Sequence, residues 1–259
     1  VGISSVFNGT EALAMGTVIG SNISNIALIF GVSCIGVSMR PAKTNLVQFI
    51  PFAIAAIILG LVLLDLKITV IEGWVLLIIF ALFIFITYQY RGSEVDDQIE
   101  ESATGTITIL LYLTVGLLAL IGGSNFAVIH AEKIAYILNV PQLIIGLTII
   151  ALGTSLPELA ATISAIMKNK NDMVIGNVIG SNVMNIALVL PIIGFFSNTS
   201  FDSTLLSRDY FVMLIATILF VLLAATYSSN KINLKFIRFV GCIFVAGYFG
   251  YILNLSNLI

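Results

Sequence analysis

Apolar residues run along this chain in long blocks, with short polar connections between them. A bilayer crossing takes about 20 largely apolar residues. Eight blocks reach that length, at 14–38, 45–64, 69–90, 106–138, 142–167, 173–196, 209–227 and 236–254. A stub at 1–7 precedes them and is too short to cross alone. The pattern predicts an all-α polytopic membrane protein with eight complete transmembrane helices. Only the connections at 91–105 and 197–207 are long. The first holds Glu94, Asp96, Asp97, Glu100 and Glu101, a charge run that reads as a solvated linker.

Composition removes the alternatives. Of 259 residues, 59% are hydrophobic and 9% charged, with a mean hydropathy of +1.12. A soluble globular chain carries about 25% charged residues. A chain this apolar cannot solvate its own surface, which excludes a soluble enzyme, and a net charge of −2 gives no basic footprint for nucleic acid. Cys34 and Cys242 lie in apolar runs without metal-ligand spacing and read as small buried hydrophobes. The stub lacks the basic n-region and small-residue cleavage site of a signal peptide.

The basic residues set an expected orientation. With the spans alternating, Arg40, Lys43, Arg91, Lys168, Lys170, Lys231, Lys235 and Arg238 fall on one side. Only Lys67, Lys133 and Arg208 fall at or near the other. The first side is expected to be cytoplasmic. That places the acidic 91–105 loop inside and the C-terminus outside.

A repeat is the strongest signal. Residues 16–28 read GTVIGSNISNIAL and residues 176–188 read GNVIGSNVMNIAL, identical at ten of thirteen positions with an offset of 160. Ile3 and Ser4 extend the match to Ile163 and Ser164. An odd number of crossings separates the two copies, so they run antiparallel across the membrane. Inverted repeats of this kind are characteristic of secondary transporters, whose sites lie near the midplane at the repeat interface.

The chemistry concentrates in the fifth block. Ala151-Leu152-Gly153-Thr154-Ser155-Leu156-Pro157-Glu158 lies near its middle. Pro157 lacks an N–H and its ring opposes the carbonyl of Gly153, so a break or kink is expected, with freed carbonyls around 151–154. Thr154 and Ser155 add hydroxyls. Glu158 adds the one carboxylate expected deep in an apolar span, where an uncompensated charge costs about 2.5–3.5 kcal/mol on insertion scales. The other acids fall at span ends or in connections, with Glu11 expected in a loop and Asp209 at a span end. In the repeated segments Ser21 and Asn25, like Ser181 and Asn185, are four residues apart and share a helix face. They read as site donors, with interhelical hydrogen bonding alone as the alternative. The glycines at 16, 20, 176 and 180 read as close-packing positions. Carboxylate, amide, hydroxyl and carbonyl oxygens without a Cys or His cluster point to Ca²⁺ or Na⁺. His130 and Glu132 do not share a face and read as interfacial. A third Gly-Ser-Asn, at 123–125, lacks the flanking pattern.

With GTSLPEL at 153–159 and the two GxVIGSNxxNIAL segments, the chain resembles the sodium/calcium exchanger family of the calcium:cation antiporter superfamily over essentially its whole length. The resemblance implies a ten-helix fold of two inverted five-helix repeats. Each begins with a long sloping helix that slides past a rigid ion-holding core, and 106–138 would suit that part. It implies that Thr154, Ser155, Glu158 and the Ala151 carbonyl are ion ligands in the second repeat. Ser181 and Asn185 would join them from the next helix, and Ser21 and Asn25 from the first repeat. Two departures stand out. Subtracting 160 places the partner of Glu158 upstream of Val1. The first such motif and its long helix are therefore expected to be missing from a truncated chain, which alone would hold half a site and not transport. Asn185 stands where some sodium/calcium exchangers carry Asp; asparagine at both 25 and 185 resembles the proton-coupled exchangers and several bacterial members, which leaves Na⁺ and H⁺ both open as counter-ion.

The sequence thus predicts an antiporter, not an enzyme, exchanging Ca²⁺ for Na⁺ by alternating access, with Ca²⁺/H⁺ exchange as the alternative and a cation channel as the rival of another class. An intramembrane hydrolase is disfavoured because Ser155 has no plausible general base. Residues 1–90 read as the remainder of the first repeat, 91–105 as the linker and 106–259 as the second repeat. No cofactor is expected beyond the transported Ca²⁺ and Na⁺ or H⁺. The expected partners are inorganic cations and the lipid bilayer, with no nucleic acid and no signal for an oligomeric state. Short loops favour a prokaryotic plasma (inner) membrane.

Overall fold

The structure is a computed structural model that describes residues 2–36, 46–90, 105–168, 170–197, 199–228 and 233–256. Helices dominate, and no strand occurs among the described residues. A short helix α1 (Gly2–Phe7) leads into α2 (Glu11–Gly36), α3 (Leu46–Asp65) and α4 (Val70–Gln89). Then come α5 (Thr106–Leu138), α6 (Gln142–Met167), α7 (Met173–Phe196), α8 (Leu205–Thr226) and α9 (Leu234–Leu255). Among the described residues seven helices, α2–α4 and α6–α9, are long and apolar enough to cross a membrane. The 33 residues of α5 are helical throughout and include the apolar stretch Ile107–Gly116. At 1.5 Å per residue α5 is about 50 Å long, well beyond a hydrocarbon core of about 30 Å.

These helices follow the predicted blocks, with two earlier starts. Glu11 opens α2 and does not lie in a loop, and a carboxylate in a first turn complements the helix dipole. Helix α8 likewise begins at Leu205, so Asp209 lies within it. Asp209 is fully buried, which the sequence did not signal. Its neighbour Arg208 donates from Nε at 2.7 Å and Nη2 at 3.0 Å, and Tyr251 of α9 donates at 2.8 Å. A charge supplied by the adjacent residue leaves no mark in a hydropathy pattern. The 91–105 linker falls almost wholly outside the described residues.

Helix α2 is the core. Its most apolar window is 83% buried, against 17% for α4. The N-terminal half of α2 crosses α6 backbone to backbone. A Cβ on Gly16 would strike the Leu143 carbonyl, and one on Gly146 would strike the Leu13 carbonyl. Farther along, a Cβ on Gly241 of α9 would sit 2.7 Å from the Gly31 carbonyl oxygen. The packing role expected of Gly16 and Gly20 is therefore met. Gly176 has nothing within 4 Å and Gly180 only the Phe83 ring edge at 4.0 Å, so their role in this structure is not close packing. Cys34 is buried beside Gly241, whereas Cys242 is exposed, against expectation. In a membrane protein an apolar run serves lipid as well as core, so apolarity alone does not separate the two faces.

Aromatic contacts tie the outer helices to this core. Phe220 of α8 meets Phe30 edge-on at 4.8 Å and Phe52 at 6.0 Å. Tyr210 donates to the Ala56 carbonyl at 3.1 Å, its ring filling the space that a Cβ at Gly60 would need. A reciprocal cap opens α4: Thr69 N–H donates to Glu72 at 2.7 Å, and Glu72 N–H to Thr69 Oγ1 at 3.3 Å.

The crossing yields a direct test. Gly16→Ala or Gly146→Ala is expected to lower stability by about 1–3 kcal/mol, because backbone cannot yield to the added methyl. Gly176→Ala is expected to be neutral or slightly stabilising. Thermal unfolding of the purified variants in detergent checks the contrast, and equal midpoints for all three would refute it.

Candidate cation site

Three helices widen where the polar motifs lie. Helix α2 takes π-helical turns over Ser24–Phe30, α6 over Gly146–Ile150 and α7 over Asn185–Val189. Such turns are rare and concentrate at functional positions. In α2 and α7 they fall at the repeated asparagines, Asn25 and Asn185.

Helix α6 does not break at Pro157. Ala151–Met167 is continuous with Pro157 inside it, and the irregular segment lies one turn earlier, at Gly146–Ile150. Pro157 deletes a single N–H, and the helix runs on through it. The Thr154 hydroxyl reaches the carbonyls of Ile150 and Ala151 at 3.0 and 3.1 Å. Hydrocarbon penalises unsatisfied carbonyls, and this hydroxyl caps two of them.

Against this segment α2 lays its polar face. Ser21 Oγ lies 2.9 Å from Thr154 Oγ1 and 3.5 Å from the Ala151 carbonyl oxygen. Because the Thr154 hydroxyl hydrogen is directed to its own helix, Ser21 is the donor across the gap. Ser24 Oγ meets Ser155 Oγ at 2.7 Å. On its other side α2 meets α7. Asn25 Nδ2 donates to Ser181 Oγ at 3.1 Å and to Asn182 Oδ1 at 3.2 Å, and Asn185 Nδ2 donates to Asn22 Oδ1 at 3.4 Å. Helices α6 and α7 are joined by Asn177, whose Nδ2 donates to the Glu158 carbonyl at 3.1 Å and Thr162 Oγ1 at 3.0 Å.

The structure therefore brings Ser21, Asn25, Ala151, Thr154, Ser155, Ser181 and Asn185 into one network across three helices. Glu158 enters through its backbone carbonyl, while among the described residues its carboxylate makes no hydrogen bond to the other seven. Within this network, among the described residues, two buried oxygen acceptors, Asn25 Oδ1 and Glu158 Oε2, and one buried donor, Asn182 Nδ2, have no hydrogen-bond partner. Oxygens that find no donor in protein are the atoms that a cation satisfies. Among the described residues no group of three or more His, Cys, Asp and Glu could hold a metal. The chemistry available is one carboxylate with neutral oxygens, a set suited to hard cations.

Four members of the network were not singled out from sequence: Asn22, Asn182, Ser24 and Asn177. Asn22 and Asn182 stand at matched positions of the repeat, so the identity that revealed the repeat could have flagged them. Ser24 faces Met184 across the offset and Asn177 faces Thr17, so symmetry hides both. His130 is exposed and bonded to the Phe126 carbonyl of its own helix at 2.8 Å, in keeping with an interfacial position.

Fold and site together define an integral membrane protein of packed apolar helices around an oxygen-lined polar centre. The sequence profile of the sodium/calcium exchanger protein family matches residues 1–89 and 108–256, and the chain belongs to that family, which comprises transporters and not enzymes. It is 34% identical to CaxA of Alkalimonas amylolytica over 97% of this chain and 81% of that protein. It is 40% identical to the sodium/calcium exchanger MaX1 of Methanosarcina acetivorans over 44% of this chain and 33% of that one. The fold is similar to the sodium-calcium exchanger NCX_Mj soaked with Na⁺ and Sr²⁺, with a TM-score of 0.71 and 28% identity, covering 97% of this chain and 80% of that chain.

The Ser24–Ser155 pair is open to measurement. Ser24→Ala strands a buried hydroxyl and is expected to cost about 1–3 kcal/mol. Ser33→Ala removes a hydroxyl bonded within its own helix, to the Ile29 carbonyl at 2.7 Å, and is expected to cost less. Thermal midpoints of the two variants, measured side by side without added cation, decide the comparison.

Proposed function

We propose that this protein is a secondary antiporter that exchanges Ca²⁺ for Na⁺ across a prokaryotic plasma membrane by alternating access. The observation that carries the reading is the pair of buried, partnerless acceptors, Asn25 Oδ1 and Glu158 Oε2, set among hydroxyls and carbonyls at the crossing of α2, α6 and α7. Membership of the sodium/calcium exchanger protein family supports it. In this reading Glu158 supplies charge, and Asn25, Asn185, Thr154, Ser155, Ser21, Ser181 and the Ala151 carbonyl supply neutral oxygens. Ca²⁺ and Na⁺ compete for the same ligands. An empty site would leave the Glu158 carboxylate uncompensated in low dielectric, which is costly. Reorientation is therefore tied to occupancy, and occupancy by either ion makes exchange obligatory.

The two repeats take the segments 1–90 and 106–259, joined by the acidic linker on the cytoplasmic side. Asparagine at both 25 and 185 favours a second reading, Ca²⁺/H⁺ exchange. With amides at both positions, Glu158 is the titratable group that a proton could neutralise.

Vesicles reconstituted with the full-length protein separate these readings. Ca²⁺ uptake is measured against an outward Na⁺ gradient and against an outward H⁺ gradient, at fixed membrane potential. Na⁺-driven uptake is expected. Uptake driven only by H⁺ transfers the assignment to the second reading, and passive Ca²⁺ flux without either gradient would indicate a channel. Glu158→Gln is expected to abolish exchange by weakening cation binding by about 2–5 kcal/mol.

A further inference from the structure

The two amide contacts between α2 and α7 are one interaction seen twice. The offset of 160 carries Asn25 onto Asn185 and Asn22 onto Asn182. Asn25 Nδ2 to Asn182 Oδ1, at 3.2 Å, is thus the counterpart of Asn185 Nδ2 to Asn22 Oδ1, at 3.4 Å. In each pair one asparagine gives its NH₂ and the other takes it.

The direction of both pairs matches the acceptors that lie beside them. Ser181 donates its hydroxyl hydrogen to the Asn177 carbonyl of its own helix at 2.8 Å, so toward Asn25 it is an acceptor. Asn25 must therefore turn its NH₂ to Ser181 and Asn182. A carboxamide carries N and O on opposite branches, so its Oδ1 points away, and that atom is the buried acceptor without a partner. On the other side Asn22 Nδ2 donates to Met213 Sδ at 3.7 Å. A thioether sulfur has no hydrogen to give. Asn22 must then offer Oδ1 to Asn185, which commits the Asn185 NH₂ and leaves its Oδ1 open. Asn182 keeps its acceptor on Asn25 although its own buried Nδ2 goes without a partner.

We propose that Asn22 and Asn182 are positioning residues for cation binding. They hold the amides of Asn185 and Asn25 with both carbonyl oxygens turned to the cation, and Met213 and Ser181 fix the direction of the two chains. The inference rests on the reading of Asn25 and Asn185 as cation ligands. It assigns a polar task to a methionine on α8, outside the repeated segments.

The test measures Ca²⁺-dependent thermal stabilisation of the purified protein, with Ca²⁺ alone as the probe. In Asn182→Leu the Ca²⁺ concentration for half-maximal stabilisation is expected to rise about 10–100-fold, the usual effect of losing an outer-shell partner. Asn182→Asp keeps an acceptor for the Asn25 amide and is expected to recover most of that loss. Met213→Leu nearly conserves volume and is expected to weaken Ca²⁺ binding in the same direction, with the midpoint in the absence of Ca²⁺ held. That split is one a packing role would not produce. A wild-type Ca²⁺ response in Asn182→Leu and Met213→Leu, with the response lost in Glu158→Gln, overturns the positioning role and leaves the cation site standing. A wild-type response in Glu158→Gln overturns the site itself. If Asn182→Leu fails to fold, Met213→Leu decides alone.

Discussion

Hydrocarbon offers no water to an unsatisfied polar group, and the centre of this protein is organised by that demand. Helix α2 buries Thr17, Ser21, Asn22, Ser24, Asn25 and Ser33 among apolar neighbours. Thr17 and Ser33 bond back to carbonyls four residues earlier and need no partner helix. The others reach outward, to Thr154 and Ser155 on α6 or to the asparagines on α7. Reach is possible only because Gly16 and Gly146 bring the backbones into contact. The glycines therefore matter to the polar chemistry as much as to the packing. Were the helices a methyl group farther apart, the pairs at 2.7–2.9 Å would open.

A network that satisfied every atom would be a structural plug. This one stops short at Asn25 Oδ1 and Glu158 Oε2. Both of these are acceptors of the kind a hard cation prefers, and the donor left over beside them is Asn182 Nδ2. Hydroxyls contribute differently from amides here. Thr154 and Ser181 spend their hydrogens on their own helices and present lone pairs, whereas the asparagines must be aimed by their neighbours. Stabilising the protein and poising it for a positive ion are then the same arrangement viewed from opposite sides of each bond.

Much of this was legible in the sequence because it depends on length and identity. Blocks of apolar residues gave the helices within a few positions. The 160-residue offset gave the paired segments, and Glu158 stood out as a carboxylate far from any polar connection. What stayed hidden depends on three-dimensional direction. Pro157 reads as a helix breaker, but its neighbours hold the helix together, and the irregular turn at 146–150 contains no proline. Asp209 is buried because Arg208 and Tyr251 close over it, and only Arg208 is near in sequence. Cys242 is indistinguishable from Cys34 by apolarity, since lipid and core ask for the same residues. Met213 shows its polar side only once Asn22 is seen beside it.

The wide turns have a consequence for how one helix can serve several neighbours. An α-helix advances 100° per residue, so a fixed stripe faces one direction along its whole length. A turn closed by i→i+5 bonds takes in an additional residue and shifts the phase of everything after it. In α2 that slip falls at 24–30, between the half that meets α6 and α7 and the half that carries Gly31 to α9. A straight stripe would have had to choose between them. With the phase reset partway along, a single rod addresses the ion-lining helices with one half and an anchoring helix with the other. The last residues of its ion-facing side, Ser24 and Asn25, lie in the first positions of the slip.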